Sequence, residues 1–432
     1  MIAPAVPSLW EAVSPPRVPK PGLSDDLVVD TVIVGGGLSG LSAAFTLAGQ
    51  GQKTVLIEAH QIGWGASGRN NGQIIPTMTA AEPDTLRESF GSMGEQFARL
   101  VGGSAAALFD LIRKENIDAE AEQTGWFQPA HSPGRMRLSA ERVEGWQRFG
   151  FPARLVERDE ARAMLGSDLW YGGMFNPTGG HINPLAFARG LASAAERSGA
   201  TIYENSPAVS WKREGSSWRV KTEKGSVKAR HFLLLTNAYT GKVVPSFAPR
   251  FANTIVPVLC WQMATAPLSE KQREKILPGR QAVSDTRGDL RFFRYDARHR
   301  LITGGAVLGG WNAAQRVARK AGAMLAEAYP SLGTPAMTHV WSGYLGMTPD
   351  RLPHVHNFGR DAWTWIGCNG RGVALSVALG REIACAVSGA PVASLALPLS
   401  NPMPLPFHNL TCRIAPFYLA WLQRQDRQEL AE

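Results

Sequence analysis

Residues 30–40, DTVIVGGGLSG, place Gly35, Gly37 and Gly40 at G-x-G-x-x-G spacing. There the first glycine permits a tight turn, the second lets backbone approach a pyrophosphate, and the third seats a helix against the preceding strand. The chemistry on offer is phosphate binding, because the N–H groups that open the helix around Leu38 and Ser39 meet an anion along the helix dipole. A second apolar run, residues 53–57, ends in Glu58 and Ala59. A carboxylate at that distance accepts the ribose hydroxyls of a dinucleotide. A glycine turn alone could be an ordinary loop. Strand, turn, helix, strand and acid in this order point to a bound dinucleotide.

Two further stretches bear on what that dinucleotide is. Residues 62–73, IGWGASGRNNGQ, set four glycines among small polar side chains, which suits backbone N–H groups facing a flat polar ring, though an ordinary loop would read the same. Near the far end, the apolar run 363–367 leads into CNGRG at 368–372 and a helix expected to about residue 388. A second helix N-terminus brought to the same cofactor would stabilise negative charge on a reduced flavin ring. A nicotinamide enzyme has no such need.

These groups converge only if a sheet gathers them. Residues 31–34 read as a buried strand of a parallel sheet, followed by a helix to about residue 49. Residues 83–116 carry helical spacing. From residue 124 the character changes, with GWFQP at 125–129, helices near 139–149 and 158–165 and a strand near 171–176. Asn183 and Pro184 supply an N-cap and first-turn proline for a helix to about 198. Strands are expected at 201–204 and 208–213, a hairpin at 218–222 and 226–230, and a strand at 231–236. Residues 255–266, 289–295, 300–304 and 337–344 read as strands of a second domain, with a helix around 312–329. The division expected is an extended arm at 1–24, a discontinuous nucleotide-binding domain at 25–120, 178–245 and 345–390, a substrate domain at 121–177 and 246–344, and a C-terminal segment at 391–432.

A chain of 432 residues is long enough for two domains. With 44% hydrophobic and 19% charged residues it is neither disordered nor fibrous. The net charge of +9 comes from scattered Lys and Arg without a run of five or six, so a solvated surface is expected rather than nucleic acid or an anionic membrane; an anionic substrate is intermediate. Cys260, Cys368, Cys385 and Cys412 form no C-x-x-C pair, which speaks against zinc or a disulfide framework and fits a reducing cytoplasm. No metal site is expected. Prolines break residues 1–23, so no signal peptide is expected, and no run of eighteen apolar residues occurs, so no membrane span is expected.

The chain resembles the D-amino acid oxidase superfamily of flavoproteins and, within it, the gamma-glutamylputrescine oxidase branch. The resemblance rests on DTVIVGGGLSGLSAA and IGWGASGRNNGQ, on GGHINP at 179–184 and TNAYTG at 236–241, and on WSGYLGMTPDRLPHV at 341–355 and GCNGRGVALSVALGREIA at 367–384. It implies an α/β fold, a glutathione-reductase-type Rossmann domain for FAD roofed by an α+β substrate domain, and oxidation of an amine C–N bond. Carried over by position, Glu58 is the ribose ligand, and Ala66, Ser67, Arg69, Asn71, Gly72 and Gln73 contact the flavin. Val209 meets adenine, and Asn369, Gly370, Gly372 and Val373 form the second turn and helix start. Arg371 stands where relatives commonly carry His. Trp341 and Tyr344 are candidates for the pocket wall, together with Trp126, Phe127, Phe175, Trp261, Phe293 and Tyr295; each could equally be core. His181 is a general base or a structural histidine.

Three departures matter. Gly343 stands where the sarcosine oxidases carry a covalent-flavin cysteine, so FAD is expected to be noncovalent. Leu345 stands near the carboxylate-holding arginine of glycine oxidase, which disfavours simple α-amino acids. Ile302 stands about where an oxygen-activating lysine would fall, which leaves oxidase, the reading preferred, against dehydrogenase. The activity implied is hydride transfer from an amine carbon to flavin, with molecular oxygen or another acceptor taking the electrons. A gamma-glutamylated or N-substituted amine is the leading substrate. Alternatives are a glycine or D-amino acid oxidase and a flavin-carrying protein without turnover.

Overall fold

The computed structural model describes residues 6–78, 81–289 and 291–429. Residues 1–5 of the expected arm and residue 290 of the expected strand 289–295 lie outside these.

Among the described residues, eight strands form the nucleotide-side sheet. Its path runs His354–Gly359, Ala362–Ile366, Ser226–Leu234, Asp26–Val34, Thr54–Ile57 and Thr201–Tyr203, with the hairpin Ser210–Glu214/Ser217–Lys221 on Ser226–Leu234. Asp26–Val34 is parallel to both neighbours, and such a strand must bury both faces. Its β-branched residues do so by alternation. Ile33 joins the core made with Leu41, Leu47 and the helices Pro184–Arg197 and Gly372–Val387. Val32 and Val34 enter the other core, with Trp218, Phe232 and Phe251. The mixed α/β character is the one expected.

The second sheet also has eight strands among the described residues. Its order is Met337–Met347, Val256–Pro267, Arg300–Gly305, Phe292–Tyr295, Ala282–Ser284, Trp126–Pro129, Gly173–Asn176 and Arg154–Val156. The two long strands pair antiparallel from Val256↔Met347 to Ala264↔His339, which makes a continuous roof.

Several elements differ from the sequence reading. The strands expected at 226–230 and 231–236 are one strand, Ser226–Leu234, because its pairing with Asp26–Val34 continues through the expected break. The helix expected from 139 begins at Pro133, where Ser132 Oγ accepts the Arg135 N–H. Pro83–Lys114 is kinked at Gly91. The proline-rich arm is not extended throughout: Leu9–Val13 is a helical turn with Trp10 fully buried. The segment 391–432 contains a long helix, His408–Glu429.

Candidate active site

The Asp26–Val34 strand turns at Gly35, whose φ of +111° disfavours any side chain. A Cβ on Gly40 would lie 2.0 Å from the Gly35 carbonyl oxygen, so turn and helix touch backbone to backbone. The first helix N–H, that of Leu38, donates to Ser67 Oγ at 3.0 Å. Glu58 follows the next strand, and its carboxylate accepts the Gly36 N–H at 2.7 Å and the His60 N–H at 2.9 Å. Burial raises its pKa, opposed by these donors, while Glu204 adds to the rise.

Residues 66–73 are pinned from three sides. The carbonyls of Arg69, Asn70 and Asn71 accept Trp341 Nε1 at 2.8 Å, Trp10 Nε1 at 2.9 Å and Arg294 Nε at 2.7 Å respectively. Arg69 turns its buried guanidinium to the Ser342 carbonyl at 2.6 Å, to Glu11 at 3.3 Å and to the Val6 carbonyl. Gln73 donates to the Val283 carbonyl at 2.8 Å and accepts from Ser284 Oγ at 2.5 Å, tying the loop to the roof.

The second turn runs from the Ala362–Ile366 strand to the Gly372–Val387 helix, with Arg371 as N-cap. Asn369 accepts the Thr348 N–H at 3.0 Å and donates to the Gly367 carbonyl at 2.9 Å. The turn is thereby locked to the end of the Met337–Met347 strand. Arg371 is 7% exposed, with its guanidinium 4.9 Å from the centroid of the Trp126 ring. Burial first and Arg142 second push its pKa down to about 9, with Glu82 opposing. It therefore remains a cation at neutral pH.

These pieces surround a cavity of about 1520 Å³. A single small-molecule pocket takes roughly 300–1,000 Å³, so a dinucleotide and a substrate fit together. The cavity is lined by Gly35, Gly37, Leu38 and Ser39 of the first turn, by Glu58 and Ala59, and by Ala66, Ser67, Arg69, Asn71 and Gln73 of the loop. Asn369, Gly370, Arg371, Gly372 and Val373 line it from the second turn, and Tyr344 from the roof.

Other expected residues lie behind this lining. Gly40 and Gly72 support the two loops, and Val209 donates its N–H to the Lys221 carbonyl at 2.8 Å while its neighbour Ala208 faces the cavity. Trp341 is fully buried in a core with Leu9, Trp10 and Ile302, so it holds the loop rather than walling the pocket. His181 is buried with Nε2 3.0 Å from the Arg280 carbonyl. Burial, then Arg294, hold its pKa well below the usual histidine range, which makes it a neutral structural ring and not a base at the cavity. Trp126, Phe127, Phe175, Trp261, Phe293 and Tyr295 are likewise outside the lining. Trp64, Tyr239 and Phe292 take their place. Tyr239 stands within the TNAYTG block, where residue type alone does not mark it; its hydroxyl accepts the Tyr344 N–H at 3.1 Å. The inner face of His408–Glu429 also lines the cavity, which nothing in the sequence reading anticipated.

Two helix N-termini and an acid, aimed into one cavity beneath a sheet roof, define a flavin-binding oxidoreductase. The chain belongs to the DAO family of FAD dependent oxidoreductases, matched over residues 30–386. It is 30% identical over 382 residues to the Gamma-glutamylputrescine oxidoreductase of Escherichia coli (strain K12), covering 87% of this chain and 88% of that one. In fold it is similar to the L-proline dehydrogenase of P. horikoshii, with a TM-score of 0.72 at 20% identity over 85% of this chain and 94% of that one. The glycine oxidase of Geobacillus kaustophilus matches with a TM-score of 0.69 at 20% identity, covering 84% and 96%. The residues lining the cavity fit FAD: Glu58 would hold the ribose, the Leu38–Gly49 helix start would meet the pyrophosphate, and Arg371 would face the charge of the ring.

The mode of attachment can be tested directly. A Cβ on Gly343 would lie 3.6 Å from Arg69 Cβ and 3.9 Å from Ala66 Cα, so this position faces the flavin loop without a thiol. Its cross-strand partner Cys260 does carry one, but burial pushes that thiol up to about 12, and a protonated thiol is a poor nucleophile. Acid precipitation is expected to release all FAD into the supernatant. Flavin remaining in the pellet would contradict this.

Proposed function

We propose that the protein oxidises a C–N bond of a gamma-glutamylated or otherwise N-substituted amine. The amine carbon loses hydride, and water hydrolyses the resulting imine to an aldehyde and a smaller amine. Bound FAD supplies the two-electron acceptor. The chain's own residues do the rest. Tyr239, Tyr344, Leu345 and Cys260 give the cavity a wall poor in charge, which disfavours the ammonium form and leaves the nitrogen lone pair free. Arg371 and the N–H groups opening the Gly372–Val387 helix supply positive potential where negative charge collects on the ring.

The observation that carries the substrate class is the placing of cations around the cavity. Leu345, not an arginine, faces it from the roof, so an α-carboxylate next to the reacting carbon lacks a clamp there. Six residues on, Arg351 also lines the cavity. Its guanidinium reaches the Tyr418 hydroxyl and lies 5.3 Å from the centroid of that ring. Among the described residues no carboxylate pairs with it, whereas Arg135, Arg142 and Arg287 are paired with Glu429, Glu82 and Asp285. Arg351 also sits at φ +58°, a conformation costing on the order of 1 kcal/mol for a non-glycine residue. A fork-shaped cation held there suits a carboxylate remote from the reacting carbon, as on a gamma-glutamyl group.

Arg351→Gln is therefore expected to lower kcat/KM for gamma-glutamyl amines by about 10- to 150-fold, the equivalent of about 1.5–3 kcal/mol for a charge-assisted contact. Amines without the carboxylate should change little. An equal loss on both classes would assign Arg351 to the frame instead.

Molecular oxygen is the proposed electron acceptor, and the cytoplasm the proposed location, where four free cysteines stay reduced. A dehydrogenase passing electrons elsewhere is the second reading. It is favoured by Ile302, which lies in the core with Trp10 and Trp341, and by the cavity lining, which includes no lysine among the described residues.

A further inference from the structure

The His408–Glu429 helix has two faces with different tasks. Its inner face lines the cavity with Cys412, Ala415, Leu419 and Leu422. It is firmly seated. Asp426 accepts the N–H groups of Gly288 at 2.8 Å and Asp289 at 3.0 Å, Glu429 takes two bonds of 2.7 Å from Arg135, and His408 Nε2 meets the Ile255 carbonyl at 2.8 Å.

The outer face is apolar and open. Leu410, Ile414 and Phe417 are 57%, 54% and 67% exposed, and Met403 and Phe407 extend the row before the helix start. The spacing 403, 407, 410, 414, 417 alternates four and three residues, so from Phe407 on the row forms one stripe along the helix. A patch of this kind on a protein surface marks an interaction site. The charge beside the stripe has one sign. Arg413, Arg424 and Arg427 are exposed and make no ion pair among the described residues. No Asp or Glu occurs from residue 391 to 425, and the next two acids, Asp426 and Glu429, are spent on anchoring the helix. Pairing two copies of this helix would set arginines against arginines with no acid between them. An apolar stripe on a helix whose exposed charged side chains are arginines instead matches the boundary layer of an anionic bilayer. The arginines escape a scan for basic runs because they are spread along a helix face.

We propose that this helix docks the protein on an anionic lipid surface, lying in the interface with its outer face and closing the cavity with its inner one. No helix among the described residues is long and apolar enough to cross a membrane, so the contact is peripheral.

The test is co-sedimentation of the FAD-loaded full chain with vesicles of phosphatidylcholine alone or mixed equally with phosphatidylglycerol, at roughly 0.05 M and 0.5 M salt. The expected result is binding to the mixed vesicles that weakens with salt. The triple variant Leu410→Ser, Ile414→Ser, Phe417→Ser should lose it. The triple variant Arg413→Gln, Arg424→Gln, Arg427→Gln should partition on the order of 100-fold more weakly, about a factor of five for each arginine. None of these six side chains lines the cavity, so bound flavin reports that the fold is intact. Absence of binding to the mixed vesicles, equal binding to both kinds, or unchanged binding by the serine variant would overturn the proposal. So would a dimer in solution that the serine variant dissociates, since the stripe would then be a face between copies.

Discussion

Trp10→Ala is expected to cost about 3–5 kcal/mol of folding stability, the range for truncating a fully buried large aromatic, and to weaken FAD binding at the same time. Trp10 is 0% exposed and lies outside the family match of residues 30–386. Its ring meets Trp341 edge-on at 5.9 Å and receives the Arg294 guanidinium at 4.8 Å. Its indole N–H reaches the Asn70 carbonyl in the middle of the flavin loop. Removing the ring opens a void under that loop and strips Arg294 of its stacking partner, although Arg294 still bonds the carbonyls of Asn71, Ile182 and Tyr295. Denaturant unfolding and the FAD dissociation constant are the two readouts. Trp10→Phe should recover most of the stability and less of the affinity, because it restores packing without the bond to Asn70. Unchanged FAD affinity in Trp10→Ala would show that the arm stabilises the fold without shaping the site.

Arg371→Ala is expected to lower the midpoint potential of the bound flavin by about 45–65 mV. A helix N-terminus alone offers about 1–2 kcal/mol to an anion. Here a buried guanidinium is added at the N-cap, and a hydrogen bond involving a charged group contributes about 1.5–3 kcal/mol. Taking about 2–3 kcal/mol for the loss, and about 30 mV per 1.4 kcal/mol for a two-electron couple, gives that fall. Burial and Arg142 depress the Arg371 pKa and Glu82 opposes them, and an anionic ring beside it would favour its charged form. Arg371→Lys should retain part of the effect, since a compact ammonium keeps the charge but loses the planar fork stacked on Trp126. A potentiometric titration giving the parent midpoint for Arg371→Ala, with FAD fully bound, would confine this residue to packing against Trp126.

The parts of the site that were legible in the sequence are those where a short stretch dictates its own backbone. Gly35 and Gly40 must be glycine for reasons reaching only a few residues away, and Glu58 sits at the end of a strand whose length is set by the sheet. The CNGRG turn is legible for the same reason. Trp10 is hard to read because its helix is one turn long in a run of prolines, with only Ser8 and Glu11 as local signals. That helix exists because Trp10 packs on residues hundreds of positions away. For Trp341 and His181, residue type leaves chemistry and core both open. An indole or imidazole in a core looks the same in sequence as one in a pocket, and only partners such as the Arg69 and Arg280 carbonyls separate them. The His408–Glu429 helix was missed because Pro416 interrupts its pattern and because apolar residues lie on both its faces.

Whether the cavity oxidises an amine bearing a remote carboxylate can be read from anaerobic mixing of the FAD-loaded protein with a panel of gamma-glutamyl amines, other N-substituted amines, glycine and D-alanine while the visible flavin absorbance is followed. Gamma-glutamyl amines are expected to bleach the flavin fastest, and air to restore the colour. Glycine or D-alanine bleaching it faster than every gamma-glutamyl amine, or no amine bleaching it at all, would overturn the proposed substrate class.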